Sequence, residues 1–126
     1  MLIAEHTWHP SESDQTSFSW ESVEAGVSMK HDKGGTQYII PWNVFSAVLL
    51  QAQRMAQDNC GTVTAGVSED SPTPGSVGEW VKSHHFGIIR GKLTPRHLSF
   101  LGPIFGRMGF VRRRVKGRSI QWELIK

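Results

Sequence analysis

The sequence has little that would mark a secreted, membrane-spanning or metal-binding protein. Its single cysteine, Cys60, cannot form a disulfide within the chain, and no long apolar run is present. Both absences favour a reducing, cytoplasmic setting with no membrane contact. The six histidines have neither a second cysteine nor a regular ligand spacing beside them. We therefore expect no metal and no cofactor.

Short enzyme signatures are missing as well. The chain contains no P-loop, no Gly-x-Ser-x-Gly and no His-Glu-x-x-His motif. Each of these motifs places a nucleophile, a phosphate cradle or a metal where its chemistry needs it. The acids fall mostly in turn-like and strand-like stretches rather than as close pairs. We expect a protein that is not an enzyme and has no catalytic residues.

Acids are scarce in one part of the chain. Residues 76–126 hold eleven Lys and Arg against two acids, a net charge of +9, whereas residues 1–75 hold three bases against nine acids, a net charge of −6. The two values add to the net charge of +3 for the whole chain. A clustered basic excess of this kind is typical of nucleic-acid binding.

The beginning of the basic half predicts a helix over 95–108. Thr94 can cap free backbone N–H groups, and Pro95 suits a first helical turn. Apolar side chains then recur at helical spacing at Leu98, Leu101, Phe105 and Met108. Gly109 suits a left-handed helix end, and Pro103 should kink the helix because it lacks an N–H donor.

A β-hairpin is predicted over 110–125. A basic run from Arg112 to Lys116 precedes a Gly117-Arg118 turn, and Ile120, Trp122 and Leu124 then alternate with polar residues. Two short strands joined at a glycine, with one apolar and one basic face, are typical of a hairpin.

This order of elements, "RMGFVRRR" followed by a basic hairpin that ends in "WEL", resembles the last helix and wing of a winged helix-turn-helix domain. The resemblance covers about the last two fifths of the chain. It implies that helix 95–108 and the wing contact duplex DNA. The remaining parts would be a helix over 76–85 with a Ser76 cap and Glu79 in a capping box, a helix over 43–57, a short strand over 62–67 and an acidic loop over 68–75.

The N-terminal part predicts β structure. We interpret Phe18 to Lys30 as one strand with a bulge at Glu21-Ser22, followed by a turn over 31–36 and a second strand over 37–40. Asn43 is the expected cap of the next helix. The predicted fold class is α+β, with an acidic N-terminal β region over 1–41 and a winged-helix-like domain over 42–126.

The favoured function is a DNA-binding protein, either a small transcriptional regulator or an accessory factor. Arg96, near the start of helix 95–108, could form hydrogen bonds with guanine. The basic residues of the wing could contact phosphates or a minor groove. The candidate nucleic-acid-binding residues are Arg90, Lys92, Arg96, His97, Ser99, Arg107, Arg112, Arg113, Arg114, Lys116 and Arg118.

Other interpretations stay open. The arginine run could be a solvated face that protects an edge strand. Phe100 could stack on a base or cover the kink at Pro103. The chain could be a non-catalytic interaction or inhibitor protein of phage or mobile-element type, and the N-terminal region could support a homodimer or hold a protein partner. RNA is the less favoured nucleic acid, because the aromatic residues show no stacking pattern on basic strands.

Overall fold

A computed structural model of the chain describes residues 9–12, 17–31, 37–89, 91–117 and 119–125. This part of the chain is a mixed α and β structure with antiparallel sheets, in agreement with the α+β class. Its elements, in chain order, are β1 (His9–Glu12), β2 (Ser17–Val23), β3 (Gly26–His31), β4 (Tyr38–Pro41), α1 (Trp42–Gln57), β5 (Thr62–Thr64), α2 (Val77–His84), β6 (Gly87–Ile88), β7 (Gly91–Lys92), a 3-10 turn (Pro95–His97), α3 (Leu98–Arg107), β8 (Val111–Lys116) and β9 (Ser119–Leu124).

The N-terminal strands form one antiparallel sheet in the order β1-β2-β3-β4. The prediction of a single bulged strand from Phe18 to Lys30 is wrong, because the chain turns back at Glu24 and Ala25 and forms two strands. Trp20 lies opposite Met29 in this hairpin. The shift in the alternation of apolar and polar residues, which suggested a bulge, is therefore the passage from one strand to the next. Part of the predicted turn over 31–36, residues 32–36, lies outside the described residues.

Helix α1 begins at Trp42, so Asn43 is not its cap. Pro41 occupies the cap position in an extended conformation, and no side chain caps the helix. The Trp42 indole instead donates a hydrogen bond to the Val23 carbonyl over 3.0 Å, which ties the helix start to β2. One face of the helix is apolar and is buried at Val44, Phe45, Val48 and Ala52.

The Ser76 cap of α2 is confirmed. Its side-chain oxygen accepts a hydrogen bond from the Glu79 N–H over 3.2 Å, and the Glu79 carboxylate accepts one from the Gly75 N–H over 3.0 Å. The link between this helix and the 3-10 turn contains the small β6–β7 hairpin. Ile89 extends from it to form a bridge with Ile39 of β4.

A second sheet joins β5, β9 and β8, in that order, with antiparallel pairs. Helix α3 packs on it, and Gly102 lies so close to Trp122 that an added Cβ would be 2.9 Å from the indole Nε1. Phe105 makes edge-to-face contacts with both Trp122 and Phe45, at centroid distances of 5.6 and 5.0 Å. The α-helix continues through Pro103.

The buried apolar side chains form one continuous core that includes both the N-terminal sheet and the three helices. Phe18, Val27 and Ile40 of the N-terminal sheet are fully buried in it. The acidic and basic regions of the sequence are thus packed together. Within the described part of the chain, none of the helices has the length and apolar character that crossing a membrane requires.

Candidate nucleic-acid interface

The basic hairpin, formed by β8 and β9, has a regular register. Its strands pair from Val111 opposite Leu124 to Lys116 opposite Ser119. Gly117 at the tip has a φ of 63°, a left-handed conformation that glycine adopts without the steric cost of a Cβ. Side chains alternate between the two faces of such a pair. The basic run is therefore divided between the two faces.

One face, which we call the outer face, is polar and basic. Arg112, Arg114 and Lys116 alternate along β8 and are all exposed. Opposite Arg112 in the register is Glu123 of β9. Both arginines contact this carboxylate: Arg112 Nη1 is 3.3 Å from Oε1, and Arg114 Nε is 3.1 Å from Oε2.

The outer face continues onto β5. Thr62 lies opposite Glu123 and Thr64 opposite Gln121. The Gln121 amide donates a hydrogen bond to the Thr64 hydroxyl over 2.8 Å. This side of the sheet therefore presents hydroxyl, amide and guanidinium groups, which suit a phosphate backbone.

The opposite face of the hairpin packs on the core at one end. Val111 and Trp122 are buried, while Val115 near the tip is 55% exposed. Arg113 lies on this face, directly opposite Trp122. The prediction from the sequence grouped Arg112, Arg113 and Arg114 together, but the pleat of the strand places Arg113 on the face opposite to the other two.

Helix α3 presents much less surface than its sequence indicated. Leu98, Leu101 and Phe105 are buried as predicted. Phe100 is also buried, and its ring makes an edge-to-face contact with Phe18 of β2 at a centroid distance of 4.9 Å. The N-terminal sheet therefore covers the centre of the helix face that carries Arg96 and Arg107 at its two ends.

His97 is an interior residue, with only 9% of its surface exposed. Its Nδ1 accepts a hydrogen bond from the Thr94 N–H over 3.0 Å, and its ring contacts Tyr38 of β4 edge-to-face at 5.0 Å. Burial lowers the pKa of His97 below its usual 6.5. A buried imidazole of this kind holds the helix start together and is poorly placed to contact DNA.

The other predicted positions in and near the third helix vary in access. Lys92, Arg96 and Arg107 are exposed. The half-buried Ser99 donates its hydroxyl hydrogen bond to the Arg96 carbonyl over 2.8 Å, so this group is already used within the turn. Arg90 and Arg118 lie outside the described residues.

The acidic loop reduces the positive charge on the α2 side of the molecule. Lys82 donates a hydrogen bond to the Asp70 carbonyl over 2.9 Å. Glu69 and Asp70 line one open cleft, of about 250 Å³, together with Lys82 and Lys92. The strands of the basic hairpin carry four cations, Arg112, Arg113, Arg114 and Lys116, against one acid, Glu123.

Glu123 is the site residue that sequence reasoning missed. A signal for it was present, since the predicted turn at Gly117-Arg118 fixes the register and places Glu123 opposite Arg112.

Comparison of the chain with protein families, with curated proteins and with solved structures finds no match.

Proposed function

We propose that this chain is a DNA-binding protein that contacts the phosphate backbone of a duplex through its basic hairpin. The observation that carries the proposal is the exposed cationic row of Arg112, Arg114 and Lys116 on an edge strand. Lys and Arg side chains that meet phosphates release condensed counterions, which supplies most of the affinity of non-specific binding.

The order of elements supports a winged-helix-like assignment. Helix α1, strand β5, helices α2 and α3 and the basic hairpin follow one another along the chain, and β5 pairs with the last strand, β9. In this arrangement the basic hairpin corresponds to the wing, and α3 corresponds to the helix that approaches the major groove.

The limited surface of α3 favours an accessory factor over a sequence-reading regulator. Phe100 is buried, the Ser99 hydroxyl is used locally, and His97 is interior. Arg96 and Arg107 remain the exposed cations of this segment. Base edges are read by several side chains together, so we expect only a modest preference among duplex sequences.

Fluorescence anisotropy with a labelled random duplex and an equal-length single strand, across a salt series, tests the proposal. Three phosphate contacts predict a slope of about −2.7 for log K against log salt concentration, at about −0.9 per contact. We expect tighter binding to the duplex than to the single strand. Absence of duplex binding, or binding that does not weaken with salt, would contradict the proposal.

A protein partner is the second candidate function. Phe110 and Ile125 at the base of the hairpin are 37% and 46% exposed, and the Ile125 N–H donates a hydrogen bond to the Phe110 carbonyl. Leu50 on α1 is 47% exposed. Such apolar side chains suit a homodimer or a heterologous contact. Light scattering on the anisotropy sample would distinguish a dimer from a monomer that carries an inhibitor or accessory role.

A further inference from the structure

The outer face of the hairpin already holds one anion. The Glu123 carboxylate lies between two guanidinium groups, with Oε1 3.3 Å from Arg112 Nη1 and also 3.3 Å from Arg114 Nη2, and with Oε2 3.1 Å from Arg114 Nε. Arg114 therefore binds the carboxylate through two nitrogens, Nε and Nη2. The same fork geometry of arginine suits phosphate as well as carboxylate.

The Glu123 carboxylate is accessible to solvent and to other anions. The side chains of Arg112, Arg114 and Glu123 are 62%, 55% and 33% exposed. Ion pairs at such exposure are weak because water and salt screen them. Each guanidinium has five N–H donors, so both arginines retain donors beyond those directed at Glu123.

The spacing of the row suits an extended polyanion. Alternate residues of a strand lie about 7 Å apart, so Arg112, Arg114 and Lys116 place cations at regular steps along one edge. Successive phosphates along a nucleic-acid strand have a similar separation. Glu123 lies at the Arg112 and Arg114 end of this row, and Ser119 lies opposite Lys116.

We propose that Arg112 and Arg114 form a phosphate-binding site in which the Glu123 carboxylate is the internal competitor of the phosphate. This inference rests on the proposed function, since the duplex backbone is the phosphate source. Glu123 keeps both side chains extended on the outer face when the protein is free. A backbone phosphate then replaces the carboxylate, and Glu123 thereby limits the affinity of the hairpin for DNA.

The substitution Glu123→Gln tests the competition. It keeps the size of the side chain and removes the competing charge, so we expect duplex binding to tighten severalfold at each salt concentration, while the salt slope stays near about −2.7 because the same three cations meet phosphates. Glu24→Gln is the matched control, because Glu24 is an exposed acid at the β2–β3 turn and its loss changes the net charge equally. We expect a much smaller change for this control.

Two results would overturn the inference. Equal effects of Glu123→Gln and Glu24→Gln would show that only net charge matters. Weaker binding by Glu123→Gln would show that the carboxylate positions the arginines without competing with phosphate.

Inorganic tripolyphosphate separates this inference from the proposed function. We expect it to shift the NMR signals of the Arg112 and Arg114 Nε–H groups, and to do so at lower concentration in Glu123→Gln. If the protein failed to bind duplex but showed these shifts, the DNA function would fail and the site would stand. If it bound duplex without these shifts and without a Glu123→Gln effect, the site would fail and the DNA function would stand.

Discussion

Helix α3 and the basic hairpin are neighbours in one basic segment, yet they differ in what they expose. Most of α3 is buried between the three-stranded sheet and the N-terminal sheet, with Gly102 against Trp122 and Phe100 against Phe18. The outer face of the hairpin has no such cover within the described residues and presents Arg112, Arg114 and Lys116. A basic sequence therefore marks a candidate interface, but packing decides which part of it is exposed.

The largest expected effect concerns Phe100. Phe100→Ala should lower the free energy of unfolding by about 3–5 kcal/mol, because it leaves a cavity where the helix meets the N-terminal sheet. Phe110→Ala is the matched control, since Phe110 is 37% exposed whereas Phe100 is 8% exposed. Its effect should stay below about 1 kcal/mol. Urea denaturation measures both, and equal effects would mean that the sheet does not cover α3.

The contact between α3 and the hairpin strands can be tested with two helical glycines. Gly102→Ala places a Cβ 2.9 Å from the Trp122 indole, which should cost about 1–3 kcal/mol of stability. Gly106→Ala meets no atom closer than the Val111 carbonyl oxygen at 3.6 Å. It should stabilise the helix by about 0.5–1 kcal/mol, since alanine restricts the unfolded chain. A stabilising Gly102→Ala would contradict the close packing.

A smaller change in the free energy of unfolding is expected when the pH is lowered. The pKa of His97 is lowered in the folded state, chiefly by burial, so the unfolded state binds more protons below its ordinary value of 6.5. Stability should therefore be fully present above about pH 6.5 and should fall as the pH decreases through that value towards the folded-state pKa. His97→Gln should flatten this dependence, measured by urea unfolding at several pH values. The exposed His84 provides the control, and an unchanged profile in His97→Gln would refute the assignment.

Local patterns in the sequence predicted much of the fold. The apolar spacing of α3, the Ser76 cap and the glycine turn of the basic hairpin all depend on residues close together in the chain. The β2–β3 hairpin was missed because the turn at Glu24 and Ala25 lacks a strong turn signature, and a change of strand then resembles a bulge. The start of α1 was also misassigned, since Pro41 occupies the cap position in place of Asn43.

The candidate site was harder to predict because its access depends on distant residues. Phe18 covers Phe100, and Tyr38 contacts His97, although both partners come from the N-terminal sheet. No local pattern in residues 95–108 reveals that cover. The division of the arginine run and the place of Glu123 follow from strand register, so these two features were accessible from the sequence once the hairpin turn was assigned.

Paired double substitutions in the hairpin and near α3 distinguish which of the two provides the main contact with DNA. Duplex binding should be measured across a salt series for Arg112→Ala/Arg114→Ala and for Arg96→Ala/Arg107→Ala, which remove equal charge from the two regions. The hairpin variant should bind at least tenfold more weakly at low salt, with a slope shallower by about 1.8, whereas the helix variant should change by less than about threefold. A larger loss of duplex affinity in the helix variant than in the hairpin variant would show that α3 provides the main contact with DNA.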